Sequence, residues 1–370
     1  MSTHFGPDYV RAIAPYQGGK PIAEVAREFG LDESKIIKLA SNENPLGMPE
    51  SAKQAMLAAV AVADIARYPD SNGFELKAAI TAKYNVPSEW ITLGNGSNDI
   101  LELAAHAFVQ PGQSTIFAQY SFVVYALASQ AVGARAIVVP AKHFGHDLAA
   151  MAQAITPDTR LVFLANPNNP TGTFVPAAEV EDFLKKVPPQ VVIVLDEAYN
   201  EFLAPELRVD STAWVRQFPN LLVVRTMSKA YGLAGLRIGF GIAQPGITDL
   251  LNRIRQPFNV NSLAQAAAIA ALNDTDFLKK SAQVNADGYR QLTRAFDSMA
   301  LEYLPSYGNF VMVKVGDDDN AGARVNLALL KLGVIVRPVG NYGLPRWLRI
   351  SIGLPEENAA FLEALKKVLS

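Results

Sequence analysis

The sequence alternates short apolar runs with longer amphipathic segments, and this alternation limits the possible folds more than any other feature. Many of the runs are rich in β-branched residues, show no polar alternation and end in turn residues, as is typical of strands covered on both faces. The predicted strands are Trp90–Leu93, Thr115–Ala118, Ala136–Val139, Leu161–Ala165, Val191–Leu195, Leu221–Arg225 and Ile238–Ile242. Helix-length segments lie between most of them, at Ser97–Val109, Phe122–Val132, Leu148–Ile155 and Ala177–Lys186. This pattern predicts an α/β fold with a mostly parallel sheet and helices on both sides.

The pattern changes after about Gln256. A long helical region, 263–300, precedes three more strand candidates and a terminal helix: Phe310–Val315, Val334–Arg337, Leu348–Ile352 and Pro355–Val368. A chain of 370 residues also exceeds the usual size of one hydrophobic core. We therefore predict a large α/β domain and a smaller α+β domain, divided as an N-terminal segment 1–40 that packs with the small domain, a large domain 41–260 and a small domain 261–370.

Composition excludes several classes of function. The net charge of −2 provides no bulk basicity for nucleic acid or an anionic membrane. There are no cysteines, which excludes disulfides, thiolate nucleophiles and Cys-ligated metals. His143 and His146 have no third ligand nearby in sequence, so we expect solvated loop histidines and no metal site. No apolar run is long enough to span a bilayer, and no signal sequence is visible at the N-terminus. We expect a cytoplasmic protein.

Two charged residues lie just past the ends of buried strands. Ligands of open α/β sheets bind at the carboxyl ends of the strands. Asp196 follows Val191–Leu195, and a carboxylate there is costly unless it meets a cation or hydrogen-bond donors. Lys229 follows Leu221–Arg225 among small residues, where burial lowers the pKa of an amine and makes it nucleophilic. A helix N-cap and a lysine that extends to solvent are the structural alternatives.

Two loops could position ligands. Residues 94–99, Gly-Asn-Gly-Ser-Asn-Asp, precede a helix whose free N–H groups suit an anion. Taken alone, this loop is better explained as an ordinary strand–helix turn with Ser97 or Asn98 as N-cap, and Asp99 stands where the third glycine of a dinucleotide-binding motif belongs. Residues 166–172, Asn-Pro-Asn-Asn-Pro-Thr-Gly, form a rigid turn that either aims an amide at a ligand or is only a stiff connection.

Taken together and in this order, the segments resemble the fold-type-I pyridoxal-phosphate (PLP) aminotransferases, and most of all the histidinol-phosphate aminotransferase family. The resemblance covers nearly the whole chain. The residues that carry it are LASNENPLG (39–47), RYPD (67–70), GNGSNDILEL (94–103), NPNNPTG (166–172), LDEAY (195–199), TMSKAYGLAGLRIG (226–239), VIVRP (334–338) and LRISIG (348–353).

The resemblance implies specific roles around the cofactor. Lys229 is expected to bind PLP covalently and to move the proton between the substrate and the cofactor, while Asp196 keeps the pyridine nitrogen protonated. Tyr199 and Asn169 are expected to hydrogen-bond the ring's 3′ oxygen. Phe122 takes the place of a stacking ring, where many relatives have tyrosine or tryptophan, and nearby Tyr125 is the alternative. The phosphate is expected to be held by Ser97, Asn98, Ser228 and Arg237.

Further residues resemble those that bind substrate. Arg349 is similar to the family's carboxylate-binding arginine and Arg337 to a second anion-binding arginine, although each alone would suit a surface salt bridge. Tyr16 matches a substrate-side tyrosine, and Asn44 either lines the entrance or is a plain turn residue. Tyr68 resembles a tyrosine that reaches the neighbouring subunit's cofactor, which implies a homodimer with shared active sites.

The implied reaction is amino transfer between L-histidinol phosphate and 2-oxoglutarate, a step of histidine biosynthesis. Relatives with the same motifs act on aromatic amino acids or decarboxylate phosphorylated amino acids, so these remain alternatives. A nicotinamide-dependent dehydrogenase or a nucleotide-binding module could use the 94–99 loop, but it would leave Lys229, Asp196 and Arg237 without a role.

Overall fold

The structure is a computed structural model that describes residues 5–16, 18–62 and 66–370. Its strands are β1 (Ile37–Lys38), β2 (Ile91–Gly94), β3 (Ser114–Ala118), β4 (Arg135–Val139), β5 (Thr159–Ala165), β6 (Val192–Asp196), β7 (Leu221–Thr226), β8 (Gly239–Ile242), β9 (Tyr303–Leu304), β10 (Phe310–Lys314), β11 (Val334–Ile335), β12 (Arg337–Pro338) and β13 (Trp347–Ser351). Its α-helices are α1 (Asp8–Arg11), α2 (Ile22–Phe29), α3 (Glu50–Val62), α4 (Phe74–Tyr84), α5 (Ser97–Phe108), α6 (Val123–Ala131), α7 (Leu148–Gln153), α8 (Ala177–Lys186), α9 (Ser211–Gln217), α10 (Pro245–Ile254), α11 (Ser262–Asn273), α12 (Thr275–Ser298), α13 (Ala321–Lys331) and α14 (Pro355–Leu369).

The large sheet has seven strands within the described residues, in the order β2-β8-β7-β6-β5-β3-β4. Strands β3 to β7 run parallel, whereas β8 is antiparallel to both of its neighbours. Every residue of β3, β6 and β7 is buried, which explains why these runs are apolar without alternation. The predicted α/β class with a mostly parallel sheet is confirmed.

Helices cover both faces of this sheet. Successive strand residues point to opposite faces, so in β6 Ile193 and Leu195 join one hydrophobic cluster while Val192 and Val194 join the other. Helices α4, α8, α9 and α11 contribute to the first cluster, and α5, α6 and α10 to the second. No helix in the described ranges is both long enough and apolar enough to cross a membrane.

A smaller antiparallel sheet, in the order β12-β13-β10-β9, lies in the C-terminal third. Helices α12, α13 and α14 pack on it in a separate hydrophobic cluster. Strand β1 pairs with β11, which attaches the N-terminal part to the C-terminal part.

The structure corrects two local predictions. The helical region 263–300 is two helices, because Asp274 ends the first and its carboxylate caps the second by accepting from the Phe277 N–H at 3.0 Å. The first of these helices, α11, packs its buried alanines into the large-sheet cluster. The predicted strand Val334–Arg337 is divided between β11 and β12, which belong to different sheets.

Candidate active site

A cavity of about 330 Å³ opens between the carboxyl ends of the large-sheet strands and the small sheet. It brings together side chains from segments more than 300 residues apart in the sequence. Thirteen of the candidate residues line it: Tyr16, Ser97, Asn98, Phe122, Tyr125, Asn169, Asp196, Tyr199, Ser228, Lys229, Arg237, Arg337 and Arg349.

Lys229 supplies an amine to this cavity. It lies three residues after β7, and its Nζ donates a hydrogen bond to the backbone carbonyl of Ser41 at 2.9 Å. Burial lowers the pKa of Lys229 from 10.5 to about 8, and the nearby cation Arg349 adds to the effect. At pH 7 about a tenth of this amine is therefore unprotonated and able to act as a nucleophile or base, far more than for an ordinary lysine.

Asp196 supplies a buried carboxylate. It is the last residue of β6 and is 5% exposed. Burial raises the pKa of Asp196 from 3.8 to about 6, while hydrogen bonds from the Tyr125 hydroxyl at 2.8 Å and the Ala198 N–H at 3.2 Å oppose that rise. No described side chain forms an ion pair with it, so a cationic group of a ligand would be a favourable partner.

The two candidate stacking rings have different environments. Tyr125 is fully buried, and its ring lies parallel to that of Phe163 with centroids 4.7 Å apart while its hydroxyl binds Asp196. Phe122 stands at the start of α6, is half-buried and lines the cavity, with its ring edge-on to Tyr125 at 5.9 Å. Phe122 is therefore the ring that is better placed to cover a flat ligand.

Tyr199 and Asn169 belong to a polar network at the cavity wall. Asn169 Oδ1 accepts from Arg349 Nη1 at 2.6 Å, which directs the amide nitrogen of Asn169 elsewhere. The Tyr199 hydroxyl accepts from Asn42 Nδ2 at 3.0 Å, and burial raises the pKa of Tyr199 to about 12. Tyr199 thus stays protonated and can act as a hydrogen-bond donor at physiological pH.

An anion cradle lies at the N-terminus of α5. The N-cap residue of this helix is Gly96, which has no side chain to accept a hydrogen bond from the first N–H groups. These N–H groups therefore remain available to a ligand. Gly96 has φ +87°, and a Cβ there would lie 2.5 Å from Arg237 Nη2. The same guanidinium approaches Ser228 Oγ at 3.4 Å. Glycine at 96 therefore leaves the space that lets an arginine, a hydroxyl and a helix N-terminus converge.

Asp99 accounts for the departure from a dinucleotide-binding motif. Its carboxylate accepts from the Asn95 N–H at 2.9 Å and from Asn259 Nδ2 at 2.8 Å. These bonds close the loop before α5 and tie it to the chain after α10. In a dinucleotide-binding motif the third glycine allows close packing of the helix on the strand. Here Asp99 stabilises the anion cradle through these two hydrogen bonds instead.

Two arginines from strands of the small sheet also line the cavity. Arg349, in the middle of β13, is 7% exposed and donates from Nη2 to the Ala40 carbonyl at 2.8 Å. Its Nε is buried without a partner in the structure. The guanidinium of Arg337 lies over the ring of Tyr16, 5.7 Å from its centroid. This pair suits a second anionic group of a ligand.

The structure places two candidate residues outside the cavity lining. Asn44 is buried, donates to the Ala230 carbonyl and to Ser281 Oγ, and accepts from the Leu46 N–H. With its amide fully used in this way, Asn44 stabilises the turn instead of lining the entrance. Tyr68 is 79% exposed, and its ring stacks on Phe258 with centroids 4.5 Å apart.

His146 corrects a further expectation. Its Nε2 lies 2.8 Å from the Ala165 carbonyl oxygen, and burial lowers its pKa to about 4. It is therefore a half-buried neutral histidine whose ring contacts the end of β5, whereas His143 is exposed as expected. No group of three His, Cys, Asp or Glu side chains in the described part of the chain is arranged to hold a metal.

Several residues that line the cavity were not predicted from the sequence, among them Asn42 and Tyr342. Asn42 stands two positions before Asn44 in the same LASNENPLG segment, so the motif carried the signal but did not distinguish the two side chains. Tyr342 follows β12 in a loop without a recognisable motif, and burial raises its pKa.

Comparison with known proteins agrees with this geometry. The family model of aminotransferase class I and II matches residues 34–365. Histidinol-phosphate aminotransferase 2 of Ralstonia nicotianae is 72% identical over 100% of this chain and 98% of that protein. Histidinol-phosphate aminotransferase 1 of Cupriavidus pinatubonensis is 72% identical over 99% of this chain and 96% of that protein.

A solved structure shares the fold over its whole length. The histidinol-phosphate aminotransferase of Sinorhizobium meliloti, crystallised in complex with pyridoxal-5′-phosphate, superposes with a TM-score of 0.90 and 29% identity. The match covers 100% of this chain and 98% of that one. The chain is therefore a member of the class I and II aminotransferase family.

Proposed function

We propose that the chain is a PLP-dependent aminotransferase that interconverts L-histidinol phosphate and 2-oxoglutarate with imidazole-acetol phosphate and L-glutamate, in histidine biosynthesis. The observation that carries the proposal is the convergence of Lys229, Asp196 and the anion cradle on one cavity. Relatives that are 72% identical over nearly their full length bear the name of this enzyme, which supports the substrate.

The residues of the cavity fit PLP. Its phosphate suits the α5 N-terminus with Ser228 and Arg237, where glycine at 96 leaves the needed space. Its pyridinium nitrogen suits the buried carboxylate of Asp196, which has no ion-pair partner among the described side chains. When bound, PLP supplies an electron sink that stabilises negative charge on the substrate's Cα.

Lys229 holds and moves the proton. Because its pKa is about 8, at pH 8 about half of these amines are unprotonated, against roughly one in 300 for a lysine with a pKa of 10.5. This amine is the group that would hold the cofactor covalently at its aldehyde carbon, with loss of water, and once released it would serve as the base for the substrate's Cα proton.

Other wall residues orient the bound groups. Phe122 would cover the flat ring of the cofactor, and Tyr199 and Asn169, which line the same cavity, would donate hydrogen bonds to the ring's oxygen substituent. Arg349 and Arg337 bind the anionic groups of the substrates, and both suit planar contacts with a carboxylate or a phosphate ester. The partly unpaired guanidinium of Arg349 supports this role, since its buried Nε lacks an acceptor in the structure.

The proposal includes a homodimer with shared active sites. Tyr68 and Phe258 form an exposed stacked pair, and Phe74, in the same part of the sequence as Tyr68, is 71% exposed. Exposed aromatic residues of this kind are common at protein interfaces. Tyr68 would then complete the cavity of the partner subunit instead of its own.

We further propose a division into two domains and a cytoplasmic location. The packing of α11 with the large sheet favours a boundary near Asp274, with the N-terminal segment attached to the small domain through β1 and β11. The cytoplasm is the compartment in which the proposed substrates, small water-soluble metabolites, are made and used.

The purified protein tests the proposal directly. We expect it to take up PLP with a visible absorbance that changes when glutamate or histidinol phosphate is added. We expect Lys229→Ala to lose that absorbance and at least about 10²–10⁴-fold of the activity. Lys279→Ala, at an exposed lysine on α12, is the matched control.

Activity with histidinol phosphate should exceed that with phenylalanine or tyrosine. Failure of the wild type to take up PLP would refute the cofactor assignment. A preference for the aromatic amino acids would instead refute the substrate.

A further inference from the structure

Asn42 occupies an unusual position in the cavity wall. It is 1% exposed and has φ +54°, in the left-handed region that few residues other than glycine adopt. Asparagine is one of the side chains that tolerate this conformation. Its backbone N–H, its backbone carbonyl and both polar atoms of its side-chain amide form hydrogen bonds, with residues of both the large and the small sheet regions.

The contacts of Asn42 determine which way its amide points. Its backbone N–H donates to Ser351 Oγ at 2.8 Å, and Ser351 Oγ donates its single hydrogen to Asn42 Oδ1 at 3.0 Å. With the amide reversed, Ser351 Oγ would face two donors and its own hydrogen would lose this acceptor. The amide oxygen therefore faces Ser351, and the nitrogen faces Tyr199.

This orientation controls the hydrogen of the Tyr199 hydroxyl. Asn42 Nδ2 can only donate, so at 3.0 Å the phenolic oxygen of Tyr199 accepts. No described residue accepts a hydrogen bond from Tyr199, and Tyr199 is one of the residues that line the cavity. The phenolic hydrogen is thus directed towards whatever acceptor occupies the cavity.

Asn42 is also attached to the strand that carries Arg349. Besides the two bonds with Ser351, the last residue of β13, the Asn42 carbonyl accepts from Asn309 Nδ2 at 3.0 Å, next to β10. Three hydrogen bonds thus join Asn42 to the small sheet region and one joins it to Tyr199. A displacement of β13 would therefore be transmitted to the Tyr199 hydroxyl.

We propose that Asn42 is a positioning residue that directs the phenolic hydrogen of Tyr199 to the ring oxygen of the bound cofactor and links this bond to the Arg349 strand. The inference rests on the proposed function, because it requires a ligand with an acceptor at that place. Asn42 acts through Tyr199 and takes no part in proton transfer itself.

The pH dependence of the holoenzyme's visible absorbance reports on this bond. A donor on the ring oxygen makes that oxygen a poorer acceptor for the proton it shares with the Lys229 nitrogen, which lowers the midpoint of the titration. Loss of one such hydrogen bond should raise the midpoint by about 0.4–1 pH unit. Global stability by itself does not move this midpoint.

The experiment compares the titration midpoints of wild type, Asn42→Gly, Asn42→Asp and Tyr199→Phe, each loaded with PLP. Glycine accepts φ +54° but removes the donor, and aspartate keeps the shape but offers an acceptor to Tyr199. We expect both Asn42 variants to raise the midpoint towards that of Tyr199→Phe. Adding Asn42→Gly to Tyr199→Phe should change it no further, because the effect passes through Tyr199.

Asn220→Asp is the matched control. Asn220 is also a buried asparagine that donates to a carbonyl, that of Val191 at 2.8 Å, but it lies outside the cavity, so we expect a wild-type midpoint. An Asn42→Gly holoenzyme with the wild-type midpoint would overturn the inference while leaving the proposed function intact. A wild type that takes up no PLP would overturn both.

Discussion

Tyr125→Phe removes one hydroxyl group next to the buried carboxylate of Asp196 and leaves the ring in place. Tyr125 is fully buried, and its ring is stacked on Phe163 at 4.7 Å, so phenylalanine can fill the same space. The hydroxyl donates to Asp196 Oδ2 at 2.8 Å, and the other carboxylate oxygen has the longer bond from the Ala198 N–H at 3.2 Å. The substitution therefore removes the shorter of two bonds to this carboxylate.

The expected size of the shift in the pKa of Asp196 follows from the negative charge on the carboxylate that accepts this hydrogen bond. A hydrogen bond to a charged group contributes about 1.5–3 kcal/mol, and 1.36 kcal/mol corresponds to one pKa unit. We therefore expect the pKa of Asp196 in the cofactor-free protein to rise by about one to two pH units above its present value of about 6. The direction is upward because the lost bond stabilises only the ionised form.

The same shift has a consequence for stability. The native pKa of Asp196 already exceeds the unfolded value of 3.8, so the native state binds the proton more tightly and the free energy of unfolding falls as pH rises from about 4 to 6. In Tyr125→Phe this decline should continue to about pH 7–8. The variant should therefore lose about 1.5–3 kcal/mol more than wild type above pH 8 and little below pH 4.

Carboxyl ¹³C NMR of aspartate-labelled, cofactor-free protein measures the pKa directly, with Asp196→Asn identifying the resonance. Denaturant unfolding at pH 5 and pH 8 measures the second effect. Tyr84→Phe is the control, because that tyrosine hydroxyl meets Tyr231 at 3.4 Å and makes no contact with Asp196. An unchanged pKa of Asp196 in Tyr125→Phe, or an equal loss of stability at both pH values, would refute the reasoning.

Two further predictions concern the anion cradle and the proposed homodimer. Gly96→Ala should weaken PLP binding about tenfold or more, because the backbone at φ +87° disfavours a side chain and the new Cβ would lie 2.5 Å from Arg237 Nη2. An equilibrium titration with PLP measures this affinity. The control Gly235→Ala, with nothing within 4 Å of its Cβ, should bind PLP normally. Tyr68→Ala and Lys229→Ala should each be inactive, but a mixture unfolded and refolded together should regain up to about a quarter of wild-type activity, since mixed dimers retain one complete site. A mixture no more active than its components would contradict shared active sites.

The sequence by itself determined the order and type of the elements of the large sheet. Strands such as β5 and β6 began and ended within a few residues of their predicted bounds, because buried apolar runs and the turn residues that end them are local signals. The same local signals placed Asp196 and Lys229 at or just after the ends of strands. In a parallel sheet the strand ends share one edge, so both side chains were expected near one cavity, and both line it.

Only the tertiary structure decided which polar groups meet. Asn42 and Asn44 belong to one motif, yet the left-handed backbone at Asn42 turns its amide to Tyr199, 157 residues away, while Asn44 is used by neighbouring segments. Tyr125 likewise proved to be a partner of Asp196, 71 residues away. Helix α11 packs with the large sheet although it precedes the small one. Hydrogen bonds and packing between distant segments depend on where the whole chain places them, and no local pattern of residues encodes that position.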